Sequence, residues 1–147
     1  MATGGDEVRV EIVGVFEQQQ EPPAGDAASP VLVLRDVGGR ELHLAISQCE
    51  GLAIHLALQQ HIVARPLTHD LGLRIMEKLS TTIDRVVVDD LNEDTYYASL
   101  HLVSREEPLS VPARPGDAVA LALRAEAPVF VTERIISRAG HPGGDSL

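Results

Sequence analysis

A chain of 147 residues with 44% hydrophobic content is the size of one ordinary domain and carries enough apolar side chains to close a core. Its 12 basic and 22 acidic residues leave a net charge of −10, which repels polyanions at long range, and 3% aromatic content without tryptophan leaves no stacking platform for single strands. Binding of nucleic acid through bulk charge is thereby excluded, and any such contact has to be local. No run approaches the roughly 20 apolar residues that cross a bilayer, so no membrane contact is expected. The single Cys49 cannot form an intramolecular disulfide, and no charged segment followed by an apolar run opens the sequence. A cytoplasmic protein is the expectation.

In chain order, the polar and Gly-rich residues 1–7 read as a flexible end. Val8 to Phe16 alternates like a half-buried strand and then turns continuously apolar. Glu17 to Pro30 has nothing to bury and reads as a mobile loop. Val31 to Leu34 and Arg40 to Ala45 form a hairpin whose turn takes its φ > 0 positions from Gly38 and Gly39. Ser47, with Glu50 three residues on, makes a capping box for a helix running to about His61. Arg65-Pro66 breaks the chain, Thr68 caps, and Leu71, Ile75 and Leu79 line one face of a second helix.

Ile83 to Val88, Thr95 to Val103 and Pro108 to Pro112 are strands, the first two joined by a turn at Asn92-Glu93-Asp94. Pro115 sits at the first position of a helix, and Asp117 places a carboxylate in its first turn. The residues that follow, Ala118 to Leu123, are apolar on all sides and must be buried. Pro128 to Val131 is extended, and Thr132 caps a short turn or helix to about Arg138. Residues 139–147 read as a second flexible end, leaving one domain over residues 8–138.

Laying Leu42 to Leu56 over Leu109 to Leu123 pairs Leu44 with Val111, Glu50 with Asp117, Ala53 with Ala120 and Ile54 with Leu121. The expected architecture is therefore α+β: duplicated β-β-β-α-α units on a mixed or mainly antiparallel sheet with buried helices. Glu50 and Asp117 are then equivalent carboxylates at two helix starts.

Chemistry concentrates in Arg65-Pro66-Leu67-Thr68-His69-Asp70-Leu71 and Arg114-Pro115-Gly116-Asp117-Ala118. Each joins an arginine, a stiffening proline and an acid at a helix start. Arginine presents a planar fork for phosphate or carboxylate, and His69 with Asp70 could hold a metal or move a proton. The competing explanation is that these acids only cap helices and pair with the arginines, and caps are far commoner than catalytic carboxylates. His69 and Asp70 are adjacent, so on a helix they diverge by about 100° and cannot by themselves share a ligand.

These two segments, with the strand Thr95-Tyr96-Tyr97-Ala98-Ser99-Leu100 between them, resemble the bifunctional nuclease domain family. In that family an Arg-Pro-x-x-His-Asp-like stretch, a Gly-Thr-Phe-Tyr-Ala-like strand and an Arg-Pro-Ser-Asp-Ala helix start occur in this order. The match runs from about Val8 to Ile136. The chain departs from the pattern at Gly116, which replaces a serine, at Asp94, which replaces a glycine, and in a longer Gln18 to Pro30 loop.

The resemblance implies an α+β fold of duplicated units and activity on DNA and RNA. On that basis the expected reaction is metal-assisted phosphodiester hydrolysis. His69, Asp70 and Asp117 are the catalytic candidates; Asp70, Asp117 and Glu50 would hold a divalent cation, Mg or Mn, that activates water. Arg65 and Arg114 would bind the phosphate. Nucleic acid is the expected partner, through this local site, and a homo-oligomer is expected as well. The alternative is a non-catalytic oligomeric module that binds a small anion or a protein. The two part on whether Arg65, His69, Asp70 and Asp117 converge on one cleft; side chains that are dispersed, or all used up in mutual salt bridges, favour the binding or structural reading.

Overall fold

The computed structural model describes residues 6–17, 29–62 and 64–143. They form an α+β fold: strands β1 (Glu7–Glu17), β2 (Pro30–Asp36) and β3 (Arg40–Ala45), helices α1 (Gln48–Leu58) and α2 (Thr68–Lys78), and strands β4 (Thr81–Asn92), β5 (Thr95–Ser104) and β6 (Glu107–Ala113). Helix α3 (Pro115–Ala125), strand β7 (Val129–Thr132), helix α4 (Glu133–Ala139) and the short strand β8 (His141–Pro142) follow. All eight strands join one sheet in the order β6-β5-β4-β7-β1-β2-β3-β8, antiparallel throughout except for the parallel β4–β7 pair. Most of the Glu17 to Pro30 stretch lies outside the described residues, as do residues 1–5 and 144–147.

The change of pattern within β1 has a local cause. Its register with β2 shifts between Ile12 and Gly14, and one extra residue in a strand moves every later side chain to the other face. In the β2–β3 turn only Gly39 takes a positive φ, at 93°, and its N–H donates to the Asp36 carbonyl. The β4–β5 and β5–β6 turns place non-glycine pairs there instead, Glu93-Asp94 and Arg105-Glu106. Positive φ at both central residues is the twist that matches two paired strands.

Helix α1 ends earlier than the apolar pattern extends. Gln60 turns left-handed, the Gln60 N–H donates to Ala57 and the His61 N–H to Leu56, which satisfies carbonyls that further helix would have used. The cap of α2 is Leu67 rather than the expected Thr68, and the Asp70 carboxylate accepts the Leu67 N–H. Thr132 does occupy the cap position of α4, but its side chain makes no capping hydrogen bond.

The core is a single cluster. Leu32, Leu34, Leu42 and Leu44 from the first meander meet Val86, Val88, Leu100 and Leu102 from the second, under Ile54 of α1, Val119 of α3 and Ile135 and Ile136 of α4. The apolar helix α3 is buried along most of its length, as its composition requires. Helix α2 is different: none of its residues is buried, and only Met76 reaches the core cluster from partial cover.

Both halves contain an antiparallel meander followed by a helix. The second then departs from β-β-β-α-α, because β7 inserts between β4 and β1 and α4 and β8 follow it. His141 and Pro142, expected in a flexible end, pair with Glu41 and Arg40. Among the described residues no helix is long and apolar enough to cross a membrane.

Candidate active site

Three helices begin with the same device, an acid at the third helical position: Glu50 in α1, Asp70 in α2 and Asp117 in α3. There the backbone N–H groups of the first turn are unpaired and favour negative charge. Glu50 completes the capping box, accepting the Ser47 N–H at 2.9 Å while the Ser47 hydroxyl accepts the Glu50 N–H at 3.2 Å. Asp70 accepts the Leu67 N–H at 2.9 Å. Asp117 instead accepts Nε of Arg114, the residue that precedes its own helix, at 2.8 Å. The capping explanation therefore describes Glu50 and Asp70 well, and Asp117 less well.

Packing of α2 and α1 against α3 then joins two of these starts. His69 Nε2 donates to Asp117 Oδ1 at 2.8 Å, and the second oxygen of Asp117 holds Arg114. Arg114 also lies 3.7 Å from Glu50 Oε2, across the boundary between α1 and α3. Glu50, Arg114, Asp117 and His69 thus form a continuous chain. Asp70 is not part of it: the neighbouring position points away from His69, and its carboxylate accepts Arg124 Nε at 2.7 Å near the far end of α3. Arg65 is exposed and, among the described residues, makes no ion pair, so the expected convergence of Arg65, His69, Asp70 and Asp117 on one cleft is not found: only His69 and Asp117 meet.

Electrostatics follow the pairing. Burial raises the Asp117 carboxyl, but hydrogen bonds from Arg114 and His69 outweigh it and hold the group below its ordinary value. Burial likewise raises Asp70, and the Leu67 N–H and Arg124 bring it down. Both carboxylates are ionised at neutral pH.

Arg114 opens onto a cleft of about 720 Å³ whose walls include His43, Ser47, Glu50, Asp94 and Tyr96. Two of the three motif segments therefore face one space; His69 and Asp117 do not line it, and the third segment is linked to it only through Asp117 and Arg114. His43 carries no signal of this in the sequence, because a strand residue with its partners far along the chain has no distinguishing spacing, whereas Tyr96 falls in the strand segment that carries the family resemblance. His43 Nε2 lies 3.0 Å from Glu41 Oε1, and its ring sits 5.0 Å from that of His141. Burial raises the Tyr96 phenol, and Asp94 adds to the effect.

The donor set expected for a cation is divided. Glu50 is spent on its cap, Asp117 on Arg114 and His69, and Asp70 on Arg124. Among the described residues no three His, Cys, Asp or Glu side chains gather as a metal-holding group. These side chains do not fit a resident divalent ion held by Glu50, Asp70 and Asp117 together.

An α+β domain with acidic helix starts joined through an arginine at the mouth of a cleft is the class that fold and site define. Residues 32–143 match the bifunctional nuclease domain, and the chain belongs to that family. It is similar to the uncharacterized protein Rv1829 of Mycobacterium tuberculosis, 38% identical over 132 residues that make up 89% of this chain and 75% of that one. It is also similar to bifunctional nuclease 1 of Oryza sativa subsp. japonica and to the bifunctional nuclease of Oryza minuta. Each is 29% identical over 109 residues, 71% of this chain but 33% of the plant protein.

Proposed function

We propose that this chain hydrolyses phosphodiester bonds of DNA or RNA at the mouth of the Arg114 cleft. The observation that carries the reading is the Arg114–Asp117–His69 relay in a member of a nuclease-domain family. Asp117 accepts the Nε2 proton of His69, which leaves Nδ1 as the basic nitrogen of the ring. In hydrolysis Nδ1 takes a proton from water as the oxygen attacks phosphorus, the sugar oxygen departing on the opposite side takes its proton from solvent as the phosphorus–oxygen bond breaks, and His69 afterwards returns its proton to solvent. Arg114, with its fork exposed, stabilises the charge that collects on the phosphoryl oxygens. Asp117 orients His69, and Glu50 holds Arg114 from the α1 side. Arg65 lies outside the relay and serves at most to attract the strand.

The experiment is cleavage of end-labelled DNA and RNA by purified protein with Mg²⁺, with Mn²⁺ and with EDTA, beside His69→Ala and Arg114→Ala. Loss of cutting in both variants supports the reading. It fails when the wild type cuts neither substrate or when both variants cut as well as the wild type.

A second reading has its own observation. Every carboxylate of the group is matched to an arginine, a histidine or a backbone N–H, which is what a braced, non-catalytic module would show. In that reading the cleft binds a small anion on Arg114. Isothermal titration with a mononucleotide against inactive but folded protein separates the two.

A further inference from the structure

Helix α2 is amphipathic, yet its apolar stripe points into solvent. Leu67, Leu71, Ile75 and Leu79 recur every fourth residue and are 37%, 52%, 51% and 62% exposed. The inner side of the helix is made by small or partly covered residues such as Gly72 and Met76, and Gly72 faces Leu121 of α3. A second apolar strip lies on the same side of the molecule. Leu109 and Val111 of β6 stand opposite Leu102 and Leu100 of β5, so they share the helix-covered face of the sheet, and they remain 48% and 41% exposed at its margin. Soluble monomers rarely leave contiguous apolar patches of more than a few hundred Å² uncovered.

We propose that this face is the contact between two copies of the chain, docked about a twofold axis so that the α2 stripe of each covers the β6 strip of the other. Three observations select a second copy. The first is size: six half-exposed Leu, Ile and Val side chains with their polar surround approach the roughly 800 Å² per partner of a standard interface. The second is charge. In a chain of net charge −10, the exposed polar residues of α2, Arg74, Glu77 and Lys78, are net positive, while the β5–β6 turn of Arg105, Glu106 and Glu107 is net negative. A twofold pairing of helix with strip sets opposite signs against each other twice.

The third is the edge itself. Pro108 and Pro112 stand opposite Val103 and Ser99, and a proline fits a paired strand only where its missing N–H faces away from the neighbour. The free edge of β6 therefore lacks the Pro108 and Pro112 donors that a further strand would use, which disfavours strand addition there, and docking uses the face instead.

Sedimentation across micromolar concentrations tests this. The wild type is expected as a dimer, and Leu71→Asp with Ile75→Asp as a monomer with unchanged circular dichroism, because these side chains touch solvent in the single copy. Arg74→Glu with Lys78→Glu, and separately Glu106→Lys with Glu107→Lys, should each weaken self-association several-fold, and mixing the two variants should restore it. A monomeric wild type, an α2 variant that stays dimeric, or a mixture no better associated than its components would overturn the proposal. None of these outcomes bears on whether the protein cuts nucleic acid.

Discussion

The carboxylate arm of Glu50 fills the space that a side chain on residue 116 would occupy: a Cβ placed on Gly116 would lie 2.8 Å from both Cβ and Cδ of Glu50. The glycine that departs from the family's Arg-Pro-Ser-Asp pattern is thus the seat for a buried acid from the neighbouring helix. This contact lets the starts of α1 and α3 approach, and it brings Glu50 to Arg114.

Glycine in a helix ordinarily gives way to alanine with a gain of about 1 kcal/mol. At Gly116 the sign should reverse. Gly116→Ala and Gly116→Ser are expected to destabilise by about 1–3 kcal/mol through overpacking. In a Glu50→Gly background, which removes the Glu50 Cβ as well as the carboxylate, the same change should cost nothing or stabilise, whereas Glu50→Ala should relieve only part of the cost; a double-mutant cycle in urea measures the coupling.

The relay makes Asp117 and Asp70 behave differently although both are first-turn acids. On the proposed reaction, His69→Ala should lower kcat by about 10²–10⁴-fold, the usual worth of a positioned acid–base group. Asp117→Asn should lose most of the same activity, because the amide no longer fixes the ring. Asp70→Asn should weaken the Arg124 pair, cost about 1 kcal/mol in stability and leave kcat nearly unchanged. Steady-state kinetics beside thermal unfolding separates the two kinds of loss.

Acid should unfold the protein in a defined window. Burial raises the carboxyls of Asp36, Asp70 and Asp117, but their hydrogen bonds outweigh it and hold all three below the ordinary range. Glu133, beside Arg40 and Ser137, is lowered to about 2. A depressed carboxyl stabilises the folded chain above its unfolded pKa, and that contribution is lost as pH falls through the folded value. Melting temperature should therefore be flat from about pH 8 to 5 and fall below about pH 4, as the unfolded chain takes up protons first.

Thr132 offers a test of a cap that its position suggests and its side chain does not make. Its hydroxyl is buried without a hydrogen-bond partner among the described residues. Thr132→Val should be neutral or stabilising by up to about 1 kcal/mol, since it removes an unsatisfied group at nearly constant volume. A working cap would lose about that much instead.

What the residues determined alone is what short-range physics controls. The order of strands and helices as far as α4, the capping box at Ser47 and the acid in each first turn follow from periodicity and from hydrogen bonds spanning a few residues. The apolar stripe of α2 was equally visible, but its periodicity says only that one face seeks cover, and the fold leaves that face in solvent.

Tertiary structure decided which acids meet. Asp117 accepts His69 across 48 positions and Asp70 accepts Arg124 across 54, so neither partner has any local signature. Adjacency on a helix already sets His69 and Asp70 about 100° apart, but which distant partner each one meets is settled only by the packing of α2 on α3. Parallel β7, slipped between the two meanders, was likewise undetermined by its four residues, because a short apolar strand fits any position in a sheet until its neighbours are placed.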